Sequence, residues 1–311
     1  MTDQPAADRP VLAERSLLAE RSVRAERPVR SARPALDDRP VLDVLVADGA
    51  PVEQARAIAP DTDEAALSAL YAHPAPEPGR RTWVRANMVA TLDGAATGAG
   101  GVSGAINGDA DYRVFRVLRA LADVVLVGAG TVRAEGYTPL SVPDGLSDLR
   151  AAAGRAPAIE LAIVSRSGEL PEQITDLDQH PAGTVPPIVL TTTSGAANLR
   201  GYPADRVVVT GENAVDLTVA LDALADRGLV RVLAEGGPSL LGDLVDGQHL
   251  DELCLTTSPL LVGGPAPRVV RTGDYLQREG RPPARLVHLL HSGGVLLARW
   301  HLGSSGLPDH G

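Results

Sequence analysis

The residues able to do chemistry gather at a few glycine-marked places. Gly128-Ala129-Gly130-Thr131 follows the apolar run Val124–Val127. Glu235-Gly236-Gly237-Pro238-Ser239 follows Val230–Ala234. Glycine lets a backbone approach a ligand closely, and the free N–H groups that open a helix attract phosphate. Two strand–glycine–helix joints in one sheet suit the two sides of a pyrophosphate, although GAGT alone more often marks a plain turn. Thr131 has the side chain to cap the helix that follows. Glu235, at a strand end, is a candidate ligand contact.

Ser165-Arg166 ends another apolar run. A hydroxyl beside a guanidinium suits a monoester phosphate, such as the 2′-phosphate that separates NADPH from NADH; the competing reading is an exposed turn. Asn87, Thr91 and Asp93 point to one face of a strand. Such a polar row needs either a ligand or polar loops above it. Ser103-Gly104-Ala105-Ile106-Asn107 follows a glycine-rich stretch and reads as a loop able to close over a substrate, or as a surface turn. Arg116 and Arg119 share a helix face, where either can hold an anionic group or remain solvated.

The elements that must position these groups alternate. Trp83–Gly94 reads as a buried strand ending in an acid and a glycine turn. Asp109–Ala122 reads as a helix, with an acid in its first turn and Val114, Val117, Leu118 and Leu121 at helical spacing. Val124–Val127 suits a strand covered on both faces. Further strands are expected at Leu161–Ser165, Pro187–Thr192, Arg206–Thr210, Val230–Ala234, Glu252–Ser258 and Leu260–Val262. Helices are expected at Ala214–Arg227, bounded by Asn213, and at Ser239–Val245; Gly136–Pro157 reads as an irregular excursion. The alternation argues for an α/β fold, a sheet with helices on both faces. A closing hairpin, Leu286–Leu290 with Val295–Trp300, adds an antiparallel edge and makes the sheet mixed.

Residues 1–40 repeat A-E-R-S/P between prolines and read as a solvated, dispensable tail rather than a docking arm. Residues 41–80 read as an extension and linker, with a strand at Val41–Val46 and a short helix at Asp63–Tyr71 with an acidic first turn. Residues 81–303 form the main domain.

Composition narrows the classes. The net charge of −10 argues against a non-specific nucleic-acid binder, and 3% aromatic content argues against stacking platforms for single strands. All basic residues are arginines, which excludes a lysine Schiff base and a Walker P-loop. Cys254 is the one cysteine, so a reducing, cytoplasmic home is expected. No run reaches membrane-spanning length, and no signal-peptide core opens the chain. The histidines show no zinc spacing, so no metal is expected; the serine-hydrolase and deaminase signatures are missing too.

Taken in order, ANMVATLDG, SGAING, LRALADVVLVGAGTVRAEGY, LAEGGPSLL and DELCLTTSPLLVGG resemble the pyrimidine reductase family of riboflavin biosynthesis over about Trp83 to Trp300. The chain resembles the reductase part of bifunctional enzymes without the deaminase, and also stand-alone actinobacterial reductases. The resemblance implies a three-layer dihydrofolate-reductase-like fold, NADPH, a small-molecule substrate and a homodimer. It implies that Gly128, Gly130, Thr131, Ser165, Arg166, Gly236, Gly237 and Ser239 meet the cofactor. Asn87, Ser103, Asn107 and Arg119 would lie around the substrate, with Glu135, Glu235 and Asp93 as the catalytic candidates. The family's acid–Pro pair after the glycine turn is Glu135-Gly136-Tyr137 here, and its downstream phosphate-holding Arg is missing from Leu140-Ser141-Val142-Pro143. The expected activity is hydride transfer to a C=N bond, of 5-amino-6-(5-phosphoribosylamino)uracil or a related ribosylaminopyrimidine. Dihydrofolate reduction and non-catalytic NADP binding are the alternatives.

Overall fold

A computed structural model describes residues 38–74, 81–273 and 283–302. The repetitive segment expected to be a dispensable tail lies almost wholly outside them.

The strands are β1 (Leu42–Ala47), β2 (Ala50–Ile58), β3 (Trp83–Thr91), β4 (Val124–Gly128), β5 (Glu160–Ser165), β6 (Ile188–Thr192), β7 (Val207–Gly211), β8 (Arg231–Ala234), β9 (Glu252–Ser258), β10 (Arg285–Ser292) and β11 (Val295–His301). The helices are α1 (Ala65–Leu70), α2 (Asp109–Leu121), α3 (Ala129–Glu135), α4 (Ser147–Ala152), α5 (Glu172–Thr175), α6 (Thr193–Ala196), α7 (Leu217–Ala225) and α8 (Pro238–Asp246). All strands join one sheet in the order β2-β1-β10-β11-β9-β3-β8-β4-β5-β6-β7. From β9 to β7 the pairs are parallel; from β9 to β2 they are antiparallel. The expected mixed, mainly parallel sheet with an antiparallel closing hairpin is what forms.

Strand alternation builds two cores. Val125 and Val127 of β4 pack with Val114, Val117, Leu118 and Leu121 of α2 on one face. Val124 and Leu126 pack with Leu221 and Leu224 of α7 and Leu240, Leu241 and Leu244 of α8 on the other. The connection β3–α2–β4 moves one way across the sheet, while β7–α7–β8 and β8–α8–β9 return. Right-handed crossovers therefore place their helices on opposite faces.

Several boundaries differ from the sequence reading. The helix expected from Ala214 starts at Leu217, because Asp216 accepts the Thr218 and Val219 N–H groups and caps it in place of Asn213. Leu260–Val262 is an exposed loop, not a strand. The excursion after Gly136 contains α4, whose Arg150 is 1% exposed. Arg150 donates to the carbonyls of Ala120, Ala122, Ala156 and Ala158, satisfying the end of α2. Helix α1 has no acid in its first turn; Glu64 precedes it in a left-handed conformation and is buried.

The extension is fastened by buried arginines. Arg113 of α2 grips Glu64 and the carbonyls of Pro40, Ile58 and Ala59. Arg85 of β3 donates to Tyr71 O at 2.6 Å, and Arg299 of β11 to Leu70 O at 2.6 Å, at the carbonyl end of α1. Both guanidiniums also bind Glu252, with Arg85 Nε at 2.5 Å. Burial alone would raise the Glu252 carboxyl, but Arg85 and Arg299 outweigh it and hold it at about 2. His288, edge-on to Tyr71 with ring centroids 4.6 Å apart, is pushed down to about 3 by burial and then by Arg299 and Arg85. His73 is lowered by burial and Arg85.

These shifts share a direction. A histidine held neutral in the fold contributes stability that is whole above about pH 6.5 and is lost as pH falls toward 3. The Glu252 contribution is whole above about 4.5 and is lost toward 2. Stability is expected to decline below about pH 6.5, by about 1.4 kcal/mol per pH unit for each histidine that stays neutral. Urea midpoints at pH 7.5, 6.0 and 5.0 check this. A flat profile, or a His288→Gln variant that declines just as steeply, would refute the assignment.

Candidate functional site

In parallel α/β sheets, ligands sit beyond the carboxyl ends of the strands where the strand order reverses. Here the reversal falls at β8 and β4, because β8 inserts between β3 and β4. The two glycine joints belong to these neighbouring strands.

The joints interlock. Gly128 N–H donates to Gly236 O at 3.1 Å, and Glu235 N–H to Leu126 O at 3.0 Å. Thr131 does not cap α3. It lies inside the helix, and its hydroxyl accepts the Gly237 N–H at 2.9 Å, tying one joint to the other. Gly236 has φ +123°, a region that side chains rarely adopt, and a Cβ at Gly237 would lie 2.7 Å from Thr131 Oγ1. Gly130 faces open space, and Ser239 is exposed in the first turn of α8. The result is a cradle lined by main chain, with two helix starts side by side.

One strand further, Ser165 is buried and accepts the Gly168 N–H at 3.1 Å, so its oxygen stiffens the turn. Arg166 is exposed, while its carbonyl accepts from Thr192 Oγ1 at 2.8 Å. A cavity of about 610 Å³, lined in part by Gly168, Leu170, Leu199 and Tyr202, lies beside this turn.

Glu235 is the centre of a buried polar cluster. Its side chain is 2% exposed. Arg119 approaches it side-on, with Nε 2.7 Å from Oε1 and Nη2 2.5 Å from Oε2. The Tyr137 hydroxyl donates to Oε2 at 2.9 Å. Arg119 also lies over the Phe115 ring at 4.2 Å and the Tyr137 ring at 5.7 Å. Burial, followed by the Glu235 charge, raises the Tyr137 phenol well above its ordinary range and keeps it a donor. Burial works against the Arg119 charge, but Glu235 outweighs it and raises the guanidinium pKa.

The other candidates divide. Glu135, at the end of α3, accepts the Ser103 N–H at 2.8 Å and so latches the Ser103–Asn107 loop. Asn107 Oδ1 is buried with no hydrogen-bond partner among the described residues. Asn87 is half-buried on β3, in register with Cys254. Asp93 faces elsewhere. It accepts from Thr91 Oγ1 and from the N–H groups of Val262 and Gly263, the latter at 2.6 Å, clamping two loops. The Thr91 and Gly263 bonds hold its carboxyl at about 2, so near neutral pH it has no proton to give. Arg116 turns away to the Asp144 carbonyl.

Sequence reasoning missed Phe115 and Tyr112. It treated Tyr137 only as a departure from pattern. A usable signal existed: the chain has one Phe and five Tyr, and α2 places its Phe beside the arginine that was singled out.

Comparison with known proteins identifies the family. The family model described as the RibD C-terminal domain matches residues 82–297. A 2,5-diamino-6-ribosylamino-4(3H)-pyrimidinone 5′-phosphate reductase of Methanothermobacter thermautotrophicus is 30% identical over 194 residues, 62% of this chain and 85% of that protein. The enzyme of the same name from Archaeoglobus fulgidus is 25% identical over 201 residues, 65% of this chain and 91% of that one. A crystal structure of a pyrimidine reductase-like protein from Corynebacterium diphtheriae superposes with a TM-score of 0.62 at 26% identity, covering 72% of this chain and 93% of the other.

Proposed function

This chain belongs to the RibD C-terminal domain family, and from that premise we propose that it is an NADPH-dependent reductase of a ribosylaminopyrimidine phosphate. The observation that carries the reading is the glycine cradle at the strand-order reversal, with the Glu235–Arg119–Tyr137 cluster beside it.

The cradle fits a dinucleotide. Gly236 holds a positive φ that side chains rarely adopt, Gly237 lets Thr131 come close enough to join the two joints, and the starts of α3 and α8 offer N–H groups to a pyrophosphate. Ser239 and Gly130 lie at those starts, and the exposed Arg166 is the residue offered to a 2′-phosphate. A bound nicotinamide cofactor supplies the hydride. The protein's share is alignment: the reaction adds hydride to the C=N carbon and a proton to its nitrogen, and geometry supplies much of the rate. Asn107 Oδ1 supports substrate binding as a buried acceptor suited to a ligand N–H. Ser103, latched by Glu135, forms the loop over the substrate, and Asn87 lies on the strand beneath. The exposed side chains of Leu92, Leu260, Leu261 and Val262 support a homodimer, which sedimentation tests.

Arg166→Ala is expected to weaken NADPH by about 1.5–3 kcal/mol and to leave NADH nearly unchanged. Titration of both cofactors checks this; equal affinity of the unmutated protein for the two would refute the NADPH assignment.

One observation favours dihydrofolate-type reduction instead. Arg116 and Arg119, the residues expected to hold a substrate phosphate, are both engaged internally. NADPH oxidation with the two substrates side by side decides: activity with dihydrofolate alone would replace the first reading.

A further inference from the structure

Strand β3 lies beside β8, so the connection from β3 to α2 leaves from the carboxyl end of a strand next to the reversal. Both ends of that connection are anchored. Ala96 N–H donates to Pro267 O at 2.8 Å, and Ile106 is 2% exposed. Between them the chain folds back on itself. Gly98 N–H donates to Val102 O and Gly101 N–H to Gly98 O, both at 3.1 Å, and a Cβ at Gly98 would lie 2.7 Å from that of Ala105. At the tip, Gly100 and Gly101 take φ of 82° and 73°, and a Cβ at either would meet open space. Among the described residues, one hydrogen bond ties residues 98–105 to another element: Ser103 N–H donates to Glu135 Oε1 at 2.8 Å.

Glu135 is the last residue of α3, which Gly136 stops in a left-handed conformation at φ 71°. A carboxylate at the carbonyl end of a helix is disfavoured, so this one gains from a donor outside the helix. The neighbouring Tyr137 serves a different element, donating to Glu235. The turn 135–137 thus carries two separate fastenings, one to the loop and one to the buried cluster. A main-chain N–H asks only for an acceptor oxygen in a fixed place, and a neutral amide carbonyl offers one as a carboxylate does. We infer that Glu135 is a positioning residue: it fixes the 98–105 loop through the Ser103 N–H, and that role needs its acceptor oxygen rather than a negative charge or a proton to give.

The loop is read without any substrate, by hydrogen exchange of residues 98–106 in the full chain. Glu135→Leu removes the acceptor and should speed exchange there about tenfold, while the melting temperature holds. Ser103→Pro removes the donor instead. Val102 is already extended, at φ −113° and ψ 145°, as a residue before proline prefers, and Ser103 opens a 3₁₀ turn. It should match Glu135→Leu, and the double variant should add little to either. Glu135→Gln keeps a carbonyl oxygen, so its loop exchange should stay within about threefold of the unmutated protein. The kinetic arm rests on the reductase reading above. With NADPH and a ribosylaminopyrimidine phosphate, Glu135→Leu should raise KM about tenfold and change kcat by less than about threefold, and Glu135→Gln should recover most of that loss. Loop exchange unmoved by Glu135→Leu overturns the inference. So does a Glu135→Gln variant that loses kcat with its loop still protected, which would make the carboxylate a catalytic group. If the unmutated protein leaves the substrate unreacted while exchange follows the expected pattern, the reductase reading falls and the latch stands.

Discussion

Arg113→Met is expected to lower folding stability by about 3–5 kcal/mol, the usual cost of removing one partner of a buried ion pair. Arg113 is 2% exposed, and each of its three nitrogens has an oxygen within 3.0 Å. Without it, the Glu64 carboxylate would stay buried with Arg39, at 3.5 Å, as its one ion-pair partner among the described residues. The Pro40, Ile58 and Ala59 carbonyls would also lose their donor. The loss should concentrate in the extension, because all these acceptors lie there, so limited proteolysis should nick residues 40–64 before the rest. Adding Glu64→Leu should recover much of the stability, since an apolar pair avoids the desolvation that the ion pair must overcome. Urea denaturation checks the series. A cost under about 1 kcal/mol for Arg113→Met would show that the cluster is not the fastener described here.

Arg113 also marks where sequence reading stops. Helix α2 was legible because its apolar residues recur at helical spacing, but Arg113 sits among them, next to Val114 and four residues before Val117. A pattern reports that a residue faces the core; it does not reveal an acid 49 positions away waiting for it. Arg85 and Arg299 pose the same problem on strands. The parallel strands were legible from continuous apolar runs. Their order was not, because the insertion of β8 between β3 and β4 depends on which helix covers which face. Strand β2 went unread since Ala50–Ile58 is mostly exposed and lacks alternation. Yet Asp48-Gly49, with φ of 51° and 80°, is the two-residue turn that such a hairpin needs.

At the site, the glycine joints were legible because glycine marks a backbone requirement in one letter. That they interlock was not, since the hydroxyl joining them was read as a helix cap. Arg119 and Glu235 were each visible as candidates but appeared as separate ligands. Their pairing spans 116 residues, and it turns two opposite charges into one neutral element. Asp93 was visible too, at the end of a polar row. Its clamping of the 262–263 backbone comes from a loop 169 residues away.

Glu235→Gln is expected to lower kcat/KM by roughly 30–150-fold, about 2–3 kcal/mol. The substitution keeps shape and volume but replaces one oxygen with an N–H₂ group. Both oxygens now accept, Oε1 from Arg119 and Oε2 from Arg119 and Tyr137. Either amide orientation therefore sets a donor against a donor. Arg119 would lose its counter-charge in a half-buried place, and the cluster that the proposed reading sets beside the substrate would loosen. Tyr137→Phe removes one of the three bonds and leaves the ion pair whole, so its loss should be smaller, about 1.5 kcal/mol. Cofactor affinity should change little in either variant, because the cradle presents main chain rather than this carboxylate. Steady-state kinetics with NADPH titrations check the set. If Glu235→Gln reacts at the unmutated rate while losing stability, the cluster is a structural brace and the substrate is oriented elsewhere. If Tyr137→Phe loses as much as Glu235→Gln, the phenol touches the reacting atoms itself.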